Sequence, residues 1–200
     1  MSMYLKRGLS SLTTLCLLLT GCQSIPQHTT TISPPNSEEI STHPDHGPQF
    51  SLQGKIGVRT PQQSGSAFFT WVQQQAQFNI ELSGILGLGK TQISGQPGQV
   101  ELNSARTGVI SAASPEELLQ QATGWQAPIT YLIDWVQAKA ATDTAEIAKD
   151  SQMRPTQIIE ENWVVDLNYH ENNPLPYKLV LKQALESGQE NRITMVIQDR

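Results

Sequence analysis

The sequence FNIELSGILGLGKTQIS, residues 78–94, decides the fold class, because it alternates, breaks at a cluster of glycines and then alternates again. Phe78, Ile80 and Leu82 take every second position, and polar side chains stand between them. A period of two with one polar face predicts antiparallel β-strands that pack on one side only. The glycine-rich middle therefore predicts the loop of a hairpin.

The loop of this hairpin is apolar. Hairpin loops in water normally carry polar residues, because an apolar tip gains nothing there. Here Ile85, Leu86 and Leu88 alternate with Gly84 and Gly87, which let the backbone bend but bury nothing. The loop is therefore expected either to fold back into a core or to contact an apolar partner.

The same residues also match the phosphate-binding loop of nucleotide-hydrolysing enzymes, from Gly84 to Thr91. That loop works only between a strand and a helix, because the helix N-terminus supplies backbone amides for the phosphates. Residues 92–98 alternate and then turn at Pro97 and Gly98, which leaves no helix. We therefore reject a nucleotide site.

The N-terminus predicts an exported lipoprotein. Lys6 and Arg7 precede an apolar run at residues 9–19, and Leu-Thr-Gly-Cys ends at Cys22. This is the pattern of a secretory signal, and it is shorter than the roughly 20 apolar residues of a membrane-spanning helix. The position of Cys22 resembles a bacterial lipobox, so we expect residues 1–21 to be removed and Cys22 to be lipidated. An ordinary signal peptide that ends near a cysteine is the alternative.

Residues 22–49 are expected to be the lipidated cysteine and a flexible tether. Proline, threonine and serine dominate this stretch, and such a composition cannot repay the entropy of ordering. By resemblance to bacterial lipoproteins, Gln23 implies sorting to the outer membrane. No disulfide is possible within the mature chain, because Cys22 is its only cysteine. His43 and His46 have no further ligand cluster beside them, so we expect no metal and no other cofactor.

Residues 50–200 are expected to form one mainly β domain. Alternating segments recur on both sides of a central helical region, and together they predict about ten to eleven strands. A single curved antiparallel sheet with helices capping its concave hydrophobic side fits this order. Gly54, Gly57 and Gly65 are candidates for bends or bulges in that sheet.

The central region predicts two short helices. Ser114 is a candidate N-cap, Pro115 suits the first helical position, and Glu117 completes a capping box. Gly124 is expected to end this helix. Residues 129–138 predict a second helix with a broad apolar face, and residues 140–150 predict a loop.

Charge and composition argue for a binding protein rather than an enzyme. The formal net charge is −5 and becomes more negative without Lys6 and Arg7. This balance disfavours nucleic acid and charge-driven binding to anionic lipid surfaces, and it leaves membrane contact to apolar groups. His170 is the only histidine of residues 50–200, and we expect it to be exposed on a strand. The adjacent carboxylates of Glu116-Glu117 and Glu160-Glu161 point apart and are interpreted as a helix start and a solvated turn.

With these segments placed, the chain resembles the LolB family of outer-membrane lipoproteins from about residue 49 to residue 197. No single motif is diagnostic, but the order and spacing of several motifs are specific. They are FTW at residues 69–71, IELSGILG at 80–87, PGQV at 97–100, PEELL at 115–119 with TG at 123–124, LIDW at 132–135 and NW at 162–163.

The resemblance implies an incomplete β-barrel and a defined role. A monomer anchored in the outer membrane and facing the periplasm takes lipoproteins from a LolA-like periplasmic carrier. It shelters their acyl chains in a hydrophobic cavity and inserts them among outer-membrane phospholipids. The resemblance assigns the membrane-contacting role to the loop, with Leu86 at its tip and Ile85, Leu88, Gly84 and Gly87 around it.

Sequence pattern and family resemblance give different predictions for the interior of the sheet. Apolar patterning alone favours a closed core, whereas the resemblance favours a cavity. The candidate cavity residues are Phe69, Trp71, Phe78, Ile80, Leu82 and Ile93 on the sheet, with Leu118, Leu119, Leu132, Ile133 and Trp135 in the lid. A closed core would favour the alternative function, a structural lipoprotein that docks other envelope proteins without lipid uptake.

Two positions depart from the family pattern. Ile85 stands where members often have proline, and Asp199 and Arg200 stand where a C-terminal tryptophan is usual.

Overall fold

The computed structural model of the protein describes residues 47–84 and 89–200. The predicted leader, Cys22, His43, His46 and loop residues 85–88 lie outside the described residues. All described residues belong to one compact unit, Thr42–Arg200. Because this unit contains a complete sheet and its own buried core, it is expected to fold on its own.

The described chain forms eleven strands and two short helices. The first half contains β1 (Gln49–Arg59), β2 (Ser64–Gln74), β3 (Gln77–Gly84), β4 (Lys90–Gln96), β5 (Gln99–Ser104) and β6 (Gly108–Ala112). The central region contains α1 (Pro115–Thr123), a 3-10 turn (Ile129–Tyr131) and α2 (Leu132–Trp135). The second half contains β7 (Glu146–Lys149), β8 (Pro155–Glu160), β9 (Trp163–Asn168), β10 (Lys178–Ala184) and β11 (Glu190–Asp199).

All eleven strands form one open antiparallel sheet, in the order β6-β5-β4-β3-β2-β1-β11-β10-β9-β8-β7. The pairing of β1 with β11 joins the two halves of the sequence, and β6 and β7 are the two edges. The predicted fold class, a single curved antiparallel sheet with helical caps, is confirmed.

One predicted loop is a strand. Residues 140–150 were expected to be irregular, yet Glu146–Lys149 pairs with β8 as an edge strand. All four of its side chains are exposed, so no apolar alternation marks it. Backbone hydrogen bonds to β8, rather than burial, hold this strand.

The first helix has the predicted ends. The Ser114 hydroxyl accepts a hydrogen bond from the Glu117 backbone N–H at 3.1 Å, Pro115 is the first helical residue, and Gly124 ends the helix with φ of 74°. The second predicted helix, at residues 129–138, is shorter than expected. It consists of the 3-10 turn and the single turn of α2, and Ala138 at φ of 59° follows.

Close contact between β1 and β11 requires glycine at position 54. The pairing register shifts between Gln53 and Gly54, as expected for a bulge. A Cβ atom on Gly54 would lie 2.0 Å from the Val196 carbonyl oxygen. At Gly57 in the same strand a Cβ atom would meet nothing closer than 3.9 Å, so the steric requirement is specific to Gly54.

The second half of the sheet is filled by a tightly packed core. Trp135 and Val136 of the cap are fully enclosed there. Their neighbours in this core are Ile158, Trp163, Val165, Leu167, Leu179, Leu181 and Ile193. Among the described residues no helix is long and apolar enough to cross a membrane.

Candidate functional site

The concave face of the first half of the sheet contains a cavity of about 630 Å³. Phe69 and Trp71 of β2 line it, together with Phe78, Ile80 and Leu82 of β3. These residues share one face because side chains alternate across a strand and the register pairs Phe69 with Leu82 and Trp71 with Ile80. The size lies within the roughly 300–1,000 Å³ of small-molecule sites.

The cap forms the roof of the cavity. Ile129 and Thr130 of the 3-10 turn and Leu132 and Ile133 of α2 face it. Asp134 is the only charged residue in the described lining. Burial raises the pKa of the Asp134 carboxyl; Lys139 opposes this effect, and Glu160 adds to it.

Polar and small residues surround one end of the cavity. This end, the cavity rim, is formed by the start of β1, the β2–β3 turn and the β4–β5 turn, with Ser114 and Pro115 opposite. The Trp71 indole N–H donates to the Gln73 amide oxygen at 3.1 Å, so the polar atom of this aromatic wall has a partner. The rest of the wall is therefore free to present apolar surface.

The structure brings most of the predicted cavity residues together. Those that line the cavity are Phe69, Trp71, Phe78, Ile80, Leu82, Leu132 and Ile133, and those that do not are Ile93, Leu118, Leu119 and Trp135. That these residues contact acyl chains stays a prediction.

The four predicted residues outside the lining have structural reasons to be there. The helix α1 packs against β5, β6 and the 3-10 turn, so Leu118 and Leu119 lie beside the cavity rather than above it. Ile93 of β4 pairs with Ile80 and Leu102, so it shares their face of the sheet, but it lies one strand beyond the wall that β2 and β3 form. Trp135 turns away into the filled core.

A buried carboxylate that sequence reasoning missed anchors the roof. Glu160 was expected on a solvated turn, but only 1% of it is exposed. Its oxygens accept hydrogen bonds from the Trp135 indole N–H at 2.7 Å, from the Ala141 backbone N–H at 3.1 Å and from the Thr142 backbone N–H. The sequence carries no signal for this, because the donors lie some 18–25 residues away.

The hydrogen bonds at Glu160 determine its charge state. Burial would raise the pKa of the Glu160 carboxyl, but hydrogen bonds from Thr142, Trp135 and Ala141 outweigh burial and lower it. The group is therefore a carboxylate at neutral pH, and it holds α2 and residues 141–142 against the end of β8.

The C-terminal residue supports the same roof. The Arg200 guanidinium donates to the Val136 carbonyl at 2.9 Å and to the Pro176 carbonyl at 3.0 Å. This arrangement places a cation at the carbonyl end of α2, where cations are favourable. Arg200 thus ties the last strand to the cap by hydrogen bonds.

The apolar loop begins where the cavity wall ends. Gly84 is the last residue of β3 and pairs with Ala67, and Leu82 lines the cavity two residues earlier. On the other side of the loop Lys90 and Thr91 belong to β4. A strand rather than a helix therefore follows the Gly84–Thr91 motif, which agrees with the rejection of a phosphate site.

No catalytic or metal-binding cluster emerges within residues 47–84 and 89–200. His170 is exposed just beyond β9 and stacks on Tyr177 with 4.0 Å between ring centroids. No group of three or more metal-ligating side chains occurs in this part of the chain.

Comparison with known proteins assigns the family. The family model described as "Outer membrane lipoprotein LolB" matches residues 48–199. The chain belongs to the LolB family. Outer-membrane lipoprotein LolB of Stutzerimonas stutzeri is 37% identical over 192 residues, covering 92% of this chain and 91% of the relative. LolB of Pseudomonas paraeruginosa is 33% identical over 189 residues, covering 91% and 90%.

Membership in the LolB family confirms the expected location, since these relatives are outer-membrane lipoproteins with a part in lipoprotein localisation. LolB is a lipoprotein-trafficking family and not a known enzyme family. Among solved structures, a LolA-superfamily protein from Nitrosomonas europaea matches with a TM-score of 0.42 and 13% identity, covering 78% of this chain and 89% of that one. Acylation of Cys22 stays a prediction.

Proposed function

We propose that this protein takes lipoproteins from a LolA-like periplasmic carrier, shelters their acyl chains in the cavity and inserts them into the outer membrane. The observation that supports the proposal is the apolar cavity of about 630 Å³ inside an open sheet. An acyl chain of about fifteen methylene groups would cost on the order of 12 kcal/mol to expose to water. A protein that moves such chains through water therefore needs an apolar shelter of this kind.

The division of the concave face supports the same role. The second half is filled, with Val165 and Leu179 completely buried, and it fixes the roof through Trp135. The first half leaves Phe78, Ile80 and Leu82 only partly buried, around the hollow. A scaffold lipoprotein without lipid uptake has no need of such a hollow, so the cavity counts against that alternative.

Delivery requires a route from the shelter to a better apolar environment. The strand β3 carries Ile80 and Leu82 along the cavity wall and continues directly into the apolar loop of residues 85–88. Cargo delivered beside that loop would exchange the cavity for the bilayer interior. No nucleotide is required in this scheme, because the chains move toward the more favourable apolar site.

The test is to fill the cavity without disturbing the fold. In the unit of residues 42–200, Ile80→Trp places added bulk in the cavity, and the matched control Val72→Trp places it on the outer face, where Val72 is 36% exposed. We expect Ile80→Trp to lower uptake of a fluorescent fatty acid, and transfer of lipoprotein from its carrier, by about tenfold or more. The indole would occupy the apolar space that the acyl chain needs. Equal uptake by the two variants would overturn the proposal.

A further inference from the structure

The three hairpin loops at one end of the sheet share a charge pattern. Antiparallel hairpins place the β1–β2, β3–β4 and β5–β6 connections at the same end. Arg59 ends β1, Lys90 begins β4, and Arg106 lies in the β5–β6 turn. These three exposed residues are called the basic end here. The connecting segments of these hairpins contain no carboxylate.

Two of the three cations have no partner within the described chain. No carboxylate of residues 47–84 and 89–200 forms an ion pair with Arg59 or Arg106. Lys90 forms an exposed ion pair with Glu81 at 2.9 Å, and such a pair contributes little stability. The guanidinium groups are therefore available to an external anion.

The charge at this end changes sign across the sheet. The β8–β9 and β10–β11 connections, also at this end, carry Glu161 and Glu186. Glu190 begins β11 and is neutralised by an ion pair with Arg192 at 2.6 Å. The basic end is therefore confined to the half of the sheet that carries the hairpin loop of residues 84–90, and it flanks that loop on both sides. Although the net charge of −5 disfavours anionic surfaces for the molecule as a whole, the two unpaired guanidinium groups are concentrated beside the apolar loop.

An exposed aromatic residue lies beside the same loop. Phe68 is 40% exposed on the outer face, and it pairs with Ser83, one residue before the end of β3. The Lys55 ammonium lies 4.9 Å from the centre of its ring. An exposed phenylalanine supplies apolar surface at a boundary between water and lipid, while a neighbouring lysine keeps its ammonium group in water.

We propose that the basic end binds the phosphate groups of anionic phospholipids and orients the protein on the membrane when the loop makes contact. This inference rests on the proposed function, because it takes the loop of residues 85–88 as the membrane-facing element. Strands are spaced about 4.8 Å apart, so Arg59 on β1 lies about 14 Å from Lys90 on β4, three strands away, and Arg106 lies about 5–10 Å from Lys90, one to two strands away. That spacing lets them contact separate headgroups, while the acidic half of the same end is held away from the surface.

The test compares two double variants of the unit of residues 42–200. Arg59→Gln/Arg106→Gln removes the unpaired guanidinium groups, and Lys149→Gln/Lys178→Gln removes two charges from the opposite end of the sheet. Binding is measured by co-sedimentation with phosphatidylcholine vesicles, alone or with about one third phosphatidylglycerol. Unfolding midpoints in urea show that both variants remain folded.

We expect the arginine variant to bind the anionic vesicles about twentyfold or more weakly than the unchanged unit at low salt, since each arginine near an anionic surface contributes about fivefold. High salt should remove the difference, and Arg59→Lys/Arg106→Lys should retain binding. The lysine control should change binding by less than about twofold. Equal losses in both double variants, or no loss in the arginine variant, would overturn the inference.

Failure of this inference can be distinguished from failure of the proposed function. Uptake and delivery of lipoprotein to neutral phosphatidylcholine vesicles depend on the cavity and the loop but not on the basic end. If delivery to neutral vesicles occurs and anionic lipid adds nothing, only the basic end is refuted. If uptake itself fails, the proposed function is refuted whatever the vesicle charge.

Discussion

Among single residues, Glu160 has the largest influence on the roof of the cavity. It is a buried carboxylate surrounded by three N–H donors from the cap. Hydrogen bonds to a charged group contribute about 1.5–3 kcal/mol each, and a donor left without its partner costs the full desolvation of that group. The position of α2, and with it of Leu132 and Ile133, therefore depends on a side chain outside the cavity.

Replacing Glu160 by glutamine should destabilise the protein by about 2–3 kcal/mol, because the amide is uncharged and turns a donor toward another donor. Equilibrium unfolding in urea measures the change. The neighbouring Glu161→Gln serves as the control, since Glu161 is exposed and accepts a hydrogen bond only from the Tyr131 hydroxyl at 2.9 Å. Similar decreases in the free energy of unfolding in the two variants would show that burial of Glu160 does not determine its contribution to stability.

The pH dependence of stability should have opposite signs at Glu160 and Asp134. The lowered pKa of Glu160 means that its contribution is fully present above the unfolded value of about 4.3 and is lost as the pH falls through the lower folded value. The raised pKa of Asp134 means that its ionised form is unfavourable in the fold at neutral pH, and that this cost disappears once the carboxyl is protonated.

The corresponding measurement is urea unfolding of Asp134→Asn from neutral pH downward. The variant should be more stable than the unchanged protein at neutral pH, and the advantage should vanish below about pH 4, where an ordinary aspartate is protonated. The same substitution should strengthen fatty-acid binding at neutral pH, because it removes the only charge from the described lining. An Asp134→Asn variant that is less stable at neutral pH would contradict this account.

For the strands, the most demanding contact is the one between β1 and β11. This pairing is the seam between the two halves of the sequence, and every other strand pair joins neighbours along the chain. Gly54 allows the β11 backbone to approach because it has no side chain. The hollow half and the filled half are thus held together by the β1–β11 ladder, and Gly54 lies at the bulge in that ladder.

Gly54→Ala should therefore destabilise the protein strongly, by about 3 kcal/mol or more, since overpacking against backbone cannot be relieved by a rotamer change. Gly57→Ala, in the same strand with space for a methyl group, should change stability by less than about 1 kcal/mol. Thermal unfolding followed by circular dichroism separates the two. If Gly54→Ala does not fold, the destabilisation is supported, provided that Gly57→Ala folds normally.

Strand parity could be predicted from sequence, but the location of the hollow could not. Alternation placed Phe69, Trp71, Phe78, Ile80 and Leu82 on one face, and that parity is the observed one. The same pattern describes Val165 and Leu179, which are completely buried. Whether an apolar face of the sheet is filled depends on where the helices pack. The sequence does not predict this, because no feature of the apolar stripe of α1 distinguishes it from the apolar stripe of α2.

Considering the whole molecule, the proposed route of the cargo depends on the loop that follows β3. Leu86→Glu in the anchored protein should leave uptake of lipoprotein nearly unchanged, because the proposed function assigns uptake to the cavity and membrane contact to the loop. Delivery into neutral vesicles should fall at least tenfold, because a carboxylate resists transfer into hydrocarbon. Transfer of labelled lipoprotein from carrier to vesicle measures both steps.

A conservative change at the same position provides the control for that experiment. Leu86→Met keeps the loop apolar and should deliver at close to the normal rate. Normal delivery by Leu86→Glu would mean that the loop does not enter the bilayer. Loss of uptake in Leu86→Glu would place the loop in the capture step instead.

The two free edges of the sheet have a further consequence. A closed barrel has its bore set by the number and stagger of its strands. In this protein the edge strands β6 and β7 are not paired with each other. The curvature of the sheet can therefore increase or decrease while every inter-strand hydrogen bond stays intact. Under the proposed function, an open sheet of this kind would accommodate acyl chains of different bulk against the same lining side chains.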